Sequence, residues 1–422
     1  RNPRNRKKYS IEFVIVAGTD LRPILEVSAV QAMKLITVNE ENFVAQMTGK
    51  SDTVEPLTKE QLKQQYPTLF DGLGKLDGEL HLRIDTAVQS TKIPTRKLPL
   101  SLKSDLKKEL DRLQKLGVIT PVTTPTDWIS LMVVARKTSG AIRLCIDPKP
   151  LNTALQRNHY PTPTIEDILP DLTNVRIFSI VDAKDGFWHV LLDKSSSFLT
   201  TFGTPWGRYR WLRMPFGIAP APEEFQRRMD EALEGLKETK AIHDDILVYG
   251  CGSNDEEAIR DHNQKLIALM DRCKQRNIKL NHDKIKLGLE SVSYLGHVVS
   301  KNGLSADPSK IQAIREMPTP KDRQAVQRLL GMVNFVQRFL PNLSETTSTL
   351  RDLLKSDTLF RWDEQVHGKA FNAIKKILSE SPVLSFFDPK KEKLRQCDAS
   401  QNGLGACAAS CICFESTNSN LE

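Results

Sequence analysis

FSIVDAKDGFWHV (178–190), read with AIHDDILVYG (241–250), decides the fold. FSIVD is a short apolar run ending in a carboxylate, the pattern of a buried strand. A tight Asp-Gly turn follows, and WHVLLD (188–193) predicts another strand. AIHDDILVYG is apolar, then acidic, then apolar again, which predicts a hairpin with acids at its tip. Asp182, Asp244 and Asp245 therefore fall on strand ends or a hairpin tip. Neighbouring acids inside apolar strands are costly to bury, repel one another and raise a pKa. A divalent cation resolves that conflict, and Mg²⁺ suits carboxylates combined with phosphate oxygens. Asp is equally an ordinary turn residue, so the pair alone also fits a plain hairpin turn.

The rest of the chain bounds the answer. It has 422 residues, 39% hydrophobic and 27% charged, enough for two or three globular domains. Its net charge of +8 permits a nucleic-acid partner, although a solvated basic surface gives the same number. No apolar run is long enough to predict a membrane span. Seven scattered cysteines form no C-x-x-C pair, which argues against a disulfide framework or zinc finger and for a reducing, intracellular setting. The chain starts at Arg1 without a signal-peptide pattern, which we read as a processed chain or a fragment.

Around these motifs, SLKSDLKKELDRLQKLG (101–117) predicts an amphipathic helix with Leu102, Leu106, Leu110, Leu113 and Leu116 on one face and Gly117 at its C-terminal end. Apolar runs flanking RKTSG (136–140) predict a hairpin between Trp128 and Asp147. PTPKDRQAVQRLLGMVNFVQRFLPN (318–342) predicts one long helix bounded by prolines. LSFFDP (384–389) and the segment after Lys393 read as strand-like.

FSIVDAKDGFWHV, TTFGTPWGRYRWLRMPFGIAPAPEEFQ (200–226), IHDDILVYG, NHDKIKLGLESVSYLGHVVS (281–300) and LLGMVNFVQRFLPNLS (329–344), in that order, resemble the reverse transcriptase of gypsy-type LTR retrotransposons. The resemblance runs from about Leu57 to Gly405. It implies an α+β right-hand polymerase with fingers, palm and thumb, and a truncated RNase H-like α/β segment at the C-terminus. The implied organisation is an aspartic protease-like remnant and linker over 1–55, fingers and palm over 56–300, a thumb-like helical region over 301–360, and a connection with the RNase H-like start over 361–422.

Residue by residue, the resemblance makes Asp182, Asp244 and Asp245 the catalytic metal ligands. They would hold two Mg²⁺ ions, with Mn²⁺ as a substitute, about 3.5–4 Å apart between the primer 3′-oxygen and the nucleotide phosphates. Phe187 would lie under the incoming sugar and exclude a 2′-hydroxyl; packing beside Trp188 is its plain alternative. Asp185 and Gly186 would share the turn facing the triphosphate, and Phe216 and Gly217 would form a loop against nucleotide and template base. Lys137 and Arg143 would grip phosphate, as Arg does bidentately. Lys284 matches a palm lysine beside the pyrophosphate. Leu295, Gly296 and His297 match the turn that supports the primer end. The hairpin departs from the commonest family pattern, with Ile242 where an aromatic is usual and His243 before the acids.

FVIVAGTDLRPILEVSAVQAMKLITV resembles the end of an aspartic protease, but lacks the D-[ST]-G motif. LRQCDASQNGLGACAAS resembles the first strand of RNase H, with Asp398 as its first carboxylate. The leading expectation is an RNA-directed DNA polymerase that extends a primer on an RNA or DNA template with deoxynucleoside triphosphates, without a membrane partner. It would work in a cytoplasmic particle or the nucleus; oligomeric state is left open. The competing expectation is a catalytically silent nucleic-acid-binding remnant.

Overall fold

The computed structural model describes residues 55–136, 140, 142–340, 343–356, 359–378 and 384, together with the backbone of 379, 393–400 and 403–410. Residues 1–54, nearly all of the segment 1–55 expected to be a protease-like remnant and linker, lie outside the described residues, as does Lys137. Helix α1 (Leu100–Lys115) follows Pro99 and buries Leu106, Leu110 and Leu113 completely. Gly117 ends it in a left-handed conformation, as its position predicts. Leu116 leaves the expected apolar face and is 40% exposed, because as the cap residue it lies beyond the last packed turn.

Strand β1 (Ile119–Val122) pairs with β6 (Gly207–Trp211), which pairs in turn with β5 (Phe202–Thr204). The hairpin expected around RKTSG forms from β2 (Leu131–Arg136) and β3 (Ile142–Asp147). The central sheet has β4 (Val175–Asp182) between β8 (Asp245–Cys251) and β9 (Lys286–Leu289), with β7 (Thr239–Ile242) outside β8. Helices α2 (Ala221–Leu233) and α3 (Asp255–Gln275) frame this sheet.

Side chains alternate across the central strands, as the pleat requires. Ile246 and Val248 join one hydrophobic cluster, with Phe225, Leu266 and Trp211. Leu247 and Tyr249 join a second cluster, with Phe178, Ile180, Tyr294 and Leu329. Each cluster covers one face, which explains why these strands read as continuous apolar runs.

Two local expectations change. WHVLLD is mostly not a strand: Gly186–His189 is a 3₁₀ turn, and only Leu191–Leu192 pairs, in parallel with Glu79–Leu80. Asp185 at φ 52° starts that turn, and buried hydrogen bonds to His189 hold it against the strand preference of the sequence. The long helix over 318–342 is shorter. Asp322 accepts the Ala325 N–H and starts α5 (Arg323–Phe335); a 3₁₀ turn over Gln337–Phe339 then drops Phe339 into the core.

Before α5, strands β10 (Ser291–Tyr294), β11 (His297–Ser300) and β12 (Gly303–Ala306) form a meander leading to α4 (Pro308–Arg315). Helices α6 (Leu343–Asp352) and α7 (Lys369–Ser379) pack against the same cluster. Leu384 bridges Leu304, and β13 (Lys393–Ser400) pairs with β14 (Gly403–Ser410). Among the described residues, no helix is long and apolar enough to cross a membrane.

Candidate active site

Strand register brings the acids together. Asp245 opens β8 directly opposite Asp182, the last residue of β4. Both share the parity of Phe178, Ile180, Leu247 and Tyr249, so both carboxylates stand on the face of the second cluster. Asp244 sits in the two-residue turn between β7 and β8, after His243 at φ 52°. Gln226 of α2 holds that turn from behind: its amide donates to the Ala241 carbonyl (2.8 Å), and its oxygen accepts the His243 N–H (2.8 Å). The Asp244 carbonyl accepts the Ala183 N–H (2.7 Å), locking the turn to the end of β4.

These acids lack enough positive charge. Lys284 donates to Asp182 Oδ2 at 2.8 Å, and its own pKa is raised because that bond and the nearby acids outweigh desolvation. Burial, then repulsion from Asp182 and Asp245, lifts Asp244 to about 6. Asp245 is raised by burial and by Asp182. Asp244 Oδ1 is buried without a hydrogen-bond partner. A Cβ on Gly186 would lie 1.8 Å from that oxygen, so a side chain there would displace the Asp244 carboxylate. Burial also holds His243 below its ordinary value against the pull of Asp245.

Phe187 and Phe216, both sequence-predicted nucleotide residues, pack against the first cluster and meet the acids through Gly186, which lies against Asp244 Oδ1. Phe187 packs on Phe216 (centroids 4.9 Å apart) and Phe225 (5.6 Å), and the exposed Arg143 lies over the Phe216 ring at 5.3 Å. Gly217 has φ 112°, and a Cβ there would come within 2.1 Å of the Ile146 carbonyl. Asn152 ties this loop down, donating to the Gly217 carbonyl (2.9 Å) and accepting the Ala219 N–H (2.8 Å). Asp185 supplies the left-handed entry to the Gly186–Phe187 turn.

Leu295 (φ 51°) and Gly296 (φ 76°) form the turn between β10 and β11. His297 is buried and stacks on Phe335 of α5, with ring centroids 5.1 Å apart. Tyr294 connects this turn to the acids through its hydroxyl, which donates to the Asp245 carbonyl at 3.3 Å. Asp398 lies on β13 opposite Gly405 and is the only carboxylate in the sequence from Lys393 to Ser410.

Gln226, Asn152 and His189 were not singled out by the sequence. EEFQ and WHV carry two of them inside recognised motifs, but their roles depend on backbone partners distant in sequence. A different acid group lies at the far end of the same hairpin. Donor atoms of Glu238, Cys251 and Asp261 all fall within 4.8 Å of one another, a closeness that Asp182, Asp244 and Asp245 do not reach. Lys265 pairs with both Glu238 and Asp261 there.

The sequence profile of the family Reverse transcriptase (RNA-dependent DNA polymerase) matches residues 135–299, which hold all three acids. This chain carries a reverse transcriptase domain. A second profile, RNase H-like domain found in reverse transcriptase, matches residues 362–411. The Retrovirus-related Pol polyprotein from transposon 412 of Drosophila melanogaster is 29% identical over 314 residues, 73% of this chain and 25% of that relative. The Enzymatic polyprotein of Cauliflower mosaic virus (strain Strasbourg) is 29% identical over 344 residues, 81% of this chain and 50% of that relative. The chain thus spans between a quarter and a half of the length of these two relatives. A foamy viral protease-reverse transcriptase, solved in complex with ds DNA, superposes with a TM-score of 0.75 at 19% identity, covering 93% of this chain and 68% of that one. The reverse transcriptase domain therefore has the α+β right-hand polymerase fold.

Proposed function

We propose that the chain is an RNA-directed DNA polymerase of a retrotransposon, transferring deoxynucleotides to a primer 3′-hydroxyl. The observation that carries this reading is the placement of Asp182 opposite Asp245, with the buried, unpartnered Oδ1 of Asp244 in the adjoining turn. The residues fit divalent cations: the donors are hard oxygens, the acids exceed their counter-charge, and Asp244 Oδ1 lacks a partner. Asp182, Asp244 and Asp245 would hold Mg²⁺ or Mn²⁺. When bound, such ions neutralise the charge of phosphoryl transfer and favour the attacking oxygen.

The chain's own groups do the positioning. Phe187, braced by Phe216 and Phe225, presents a flat apolar surface suited to excluding a 2′-hydroxyl. Arg143, exposed above the Phe216 ring, would take phosphate. Lys284 keeps Asp182 oriented and would stand beside a leaving pyrophosphate. The Leu295–His297 turn supports the primer end and reaches the acids through Tyr294.

The test is primer extension on an RNA template with Mg²⁺. Extension by the wild-type chain, lost in Asp182→Asn, supports the reading. Salt-sensitive template binding without extension would favour the silent nucleic-acid-binding alternative.

A further inference from the structure

The geometry points to His189 as a positioning residue that sets sugar discrimination by tying the Gly186–Phe187 turn to the Lys279 segment, with the strap of chain over Gly74–Leu76 packed against its ring. This inference rests on the polymerase reading above. His189 is 1% exposed and lies two residues beyond Phe187. Its ring nitrogens join two separate segments. Nε2 faces the Lys279 backbone N–H at 2.9 Å, so it must accept; Nδ1 faces the Gly186 carbonyl at 3.0 Å, so it must donate. One neutral tautomer satisfies both bonds, whereas an imidazolium would lose the Lys279 bond. Burial is the main force holding the ring neutral, with a pKa of about 4.

Both ends of this bridge lead to the acids. Gly186 packs against Asp244 Oδ1. The Lys279 carbonyl accepts the Lys184 N–H (2.8 Å), and the Asn281 N–H donates to the Asp182 carbonyl (2.8 Å). His189 therefore joins the turn before the gate aromatic to the segment that continues to Lys284.

The strap closes over the same ring. Leu76 N–H donates to the His189 carbonyl (2.8 Å), and Arg213 donates to the carbonyls of Gly74 (2.6 Å) and Trp188. A Cβ on Gly74 would meet the His189 ring at 2.1 Å and the Asn277 carbonyl at 2.8 Å. Gly74 is thus glycine for space, against the Cδ2 and Nε2 atoms of the imidazole. Pressure from that side would push the ring, then the Gly186 carbonyl, and then Phe187. A displacement of about 1 Å at such a distance from the chemistry is enough to cost on the order of 100-fold in rate.

Three variants test this in primer extension with the full chain. His189→Leu removes both bonds but keeps an apolar side chain. Gly74→Ala displaces an intact ring. Each is expected to lower the ratio of dNTP to rNTP incorporation efficiency roughly tenfold and to raise the dNTP KM, with primer–template Kd unchanged. His189→Gln offers an amide N–H and a carbonyl to the same two partners and is expected to stay within about threefold of wild type. Melting temperature is followed for each variant, and nucleotide binding to a dideoxy-terminated primer complex reads the same selectivity without turnover. Wild-type extension with sugar selectivity unchanged in both His189→Leu and Gly74→Ala would overturn the role of His189. So would a His189→Gln variant as unselective as His189→Leu. A wild-type chain that neither extends primers nor binds nucleotide would overturn the polymerase reading itself.

Discussion

One hairpin carries acids at both ends, and the two ends are electrostatic opposites. At the base, Glu238, Cys251 and Asp261 converge, but Lys265 reaches both carboxylates and is only 12% exposed. Asp261 also accepts the Cys251 N–H at 2.8 Å, so the group is satisfied internally. At the tip, Lys284 engages Asp182, while Asp244 Oδ1 has no partner and Asp244 titrates near 6. Proximity of acids is therefore a poor guide to function in this hairpin. Unmet charge is the better one: the looser group is the one that has something left to bind.

The sharpest way to break this comparison is to neutralise each end. Asp182→Asn and Asp244→Asn remove a negative ligand at nearly constant volume and are expected to reduce primer extension by roughly 1,000-fold or more. Glu238→Gln at the base is expected to leave extension within a few-fold of wild type. Comparable losses from both ends would erase the distinction.

Phe187→Val sharpens the tip further. A smaller side chain against Phe216 leaves room for a 2′-hydroxyl, so the dNTP to rNTP efficiency ratio is expected to fall roughly tenfold. An unchanged ratio would reduce Phe187 to core packing.

Stability should respond in the opposite sense. Lys265→Met strips the base of its cation and leaves two partly buried carboxylates facing each other, a cost of about 1–3 kcal/mol. Denaturant melts should show it, and extension per folded molecule should hold. Lys284→Met, by contrast, should lower extension more than stability, since Lys284 is largely exposed.

The smallest effect is one of pH. Asp244 is raised from its ordinary value to about 6, so between roughly pH 4 and 6 the native state keeps a proton that the unfolded chain has lost. Stability contributed by this group is present below that window and declines as pH rises through it. A divalent cation that binds the ionised acids should offset the decline. The gain in Tm with Mg²⁺ or Mn²⁺ should therefore be larger at pH 7.5 than at pH 5, and much reduced in Asp182→Asn. A pH-independent gain that survives this substitution would place the cation elsewhere.

Much of this contrast was visible in the sequence at the tip and none of it at the base. FSIVD and IHDDILVYG are legible because both faces of their strands are buried, leaving apolar runs in which an acid stands out. The leucine spacing of α1 reads equally well, since one helix face meets one core. Glu238, Cys251, Asp261 and Lys265 come from a loop, a strand end and a helix, and only the fold assembles them. WHVLLD misleads for a related reason. Its alternation favours a strand, but the Asp185 conformation and the bonds of His189 to Gly186 and Lys279 impose a turn. Gln226 and Asn152 do their work through backbone groups 15 to 67 positions away, which no local pattern encodes.

The two-faced burial of the central sheet has a mechanical consequence. Strand β8 behaves as a beam clamped along both sides, with Ile246 and Val248 gripped by one core and Leu247 and Tyr249 by the other. Its free end is a turn of two residues, too short to bend far. The Tyr294 hydroxyl is a point of contact between that beam and the β10–β11 turn, which carries load from α5 through the stacked His297 and Phe335 rings. At 3.3 Å that hydroxyl bond is long, so it works as a loose tether: a shift of α5 would reach the acids through it only weakly.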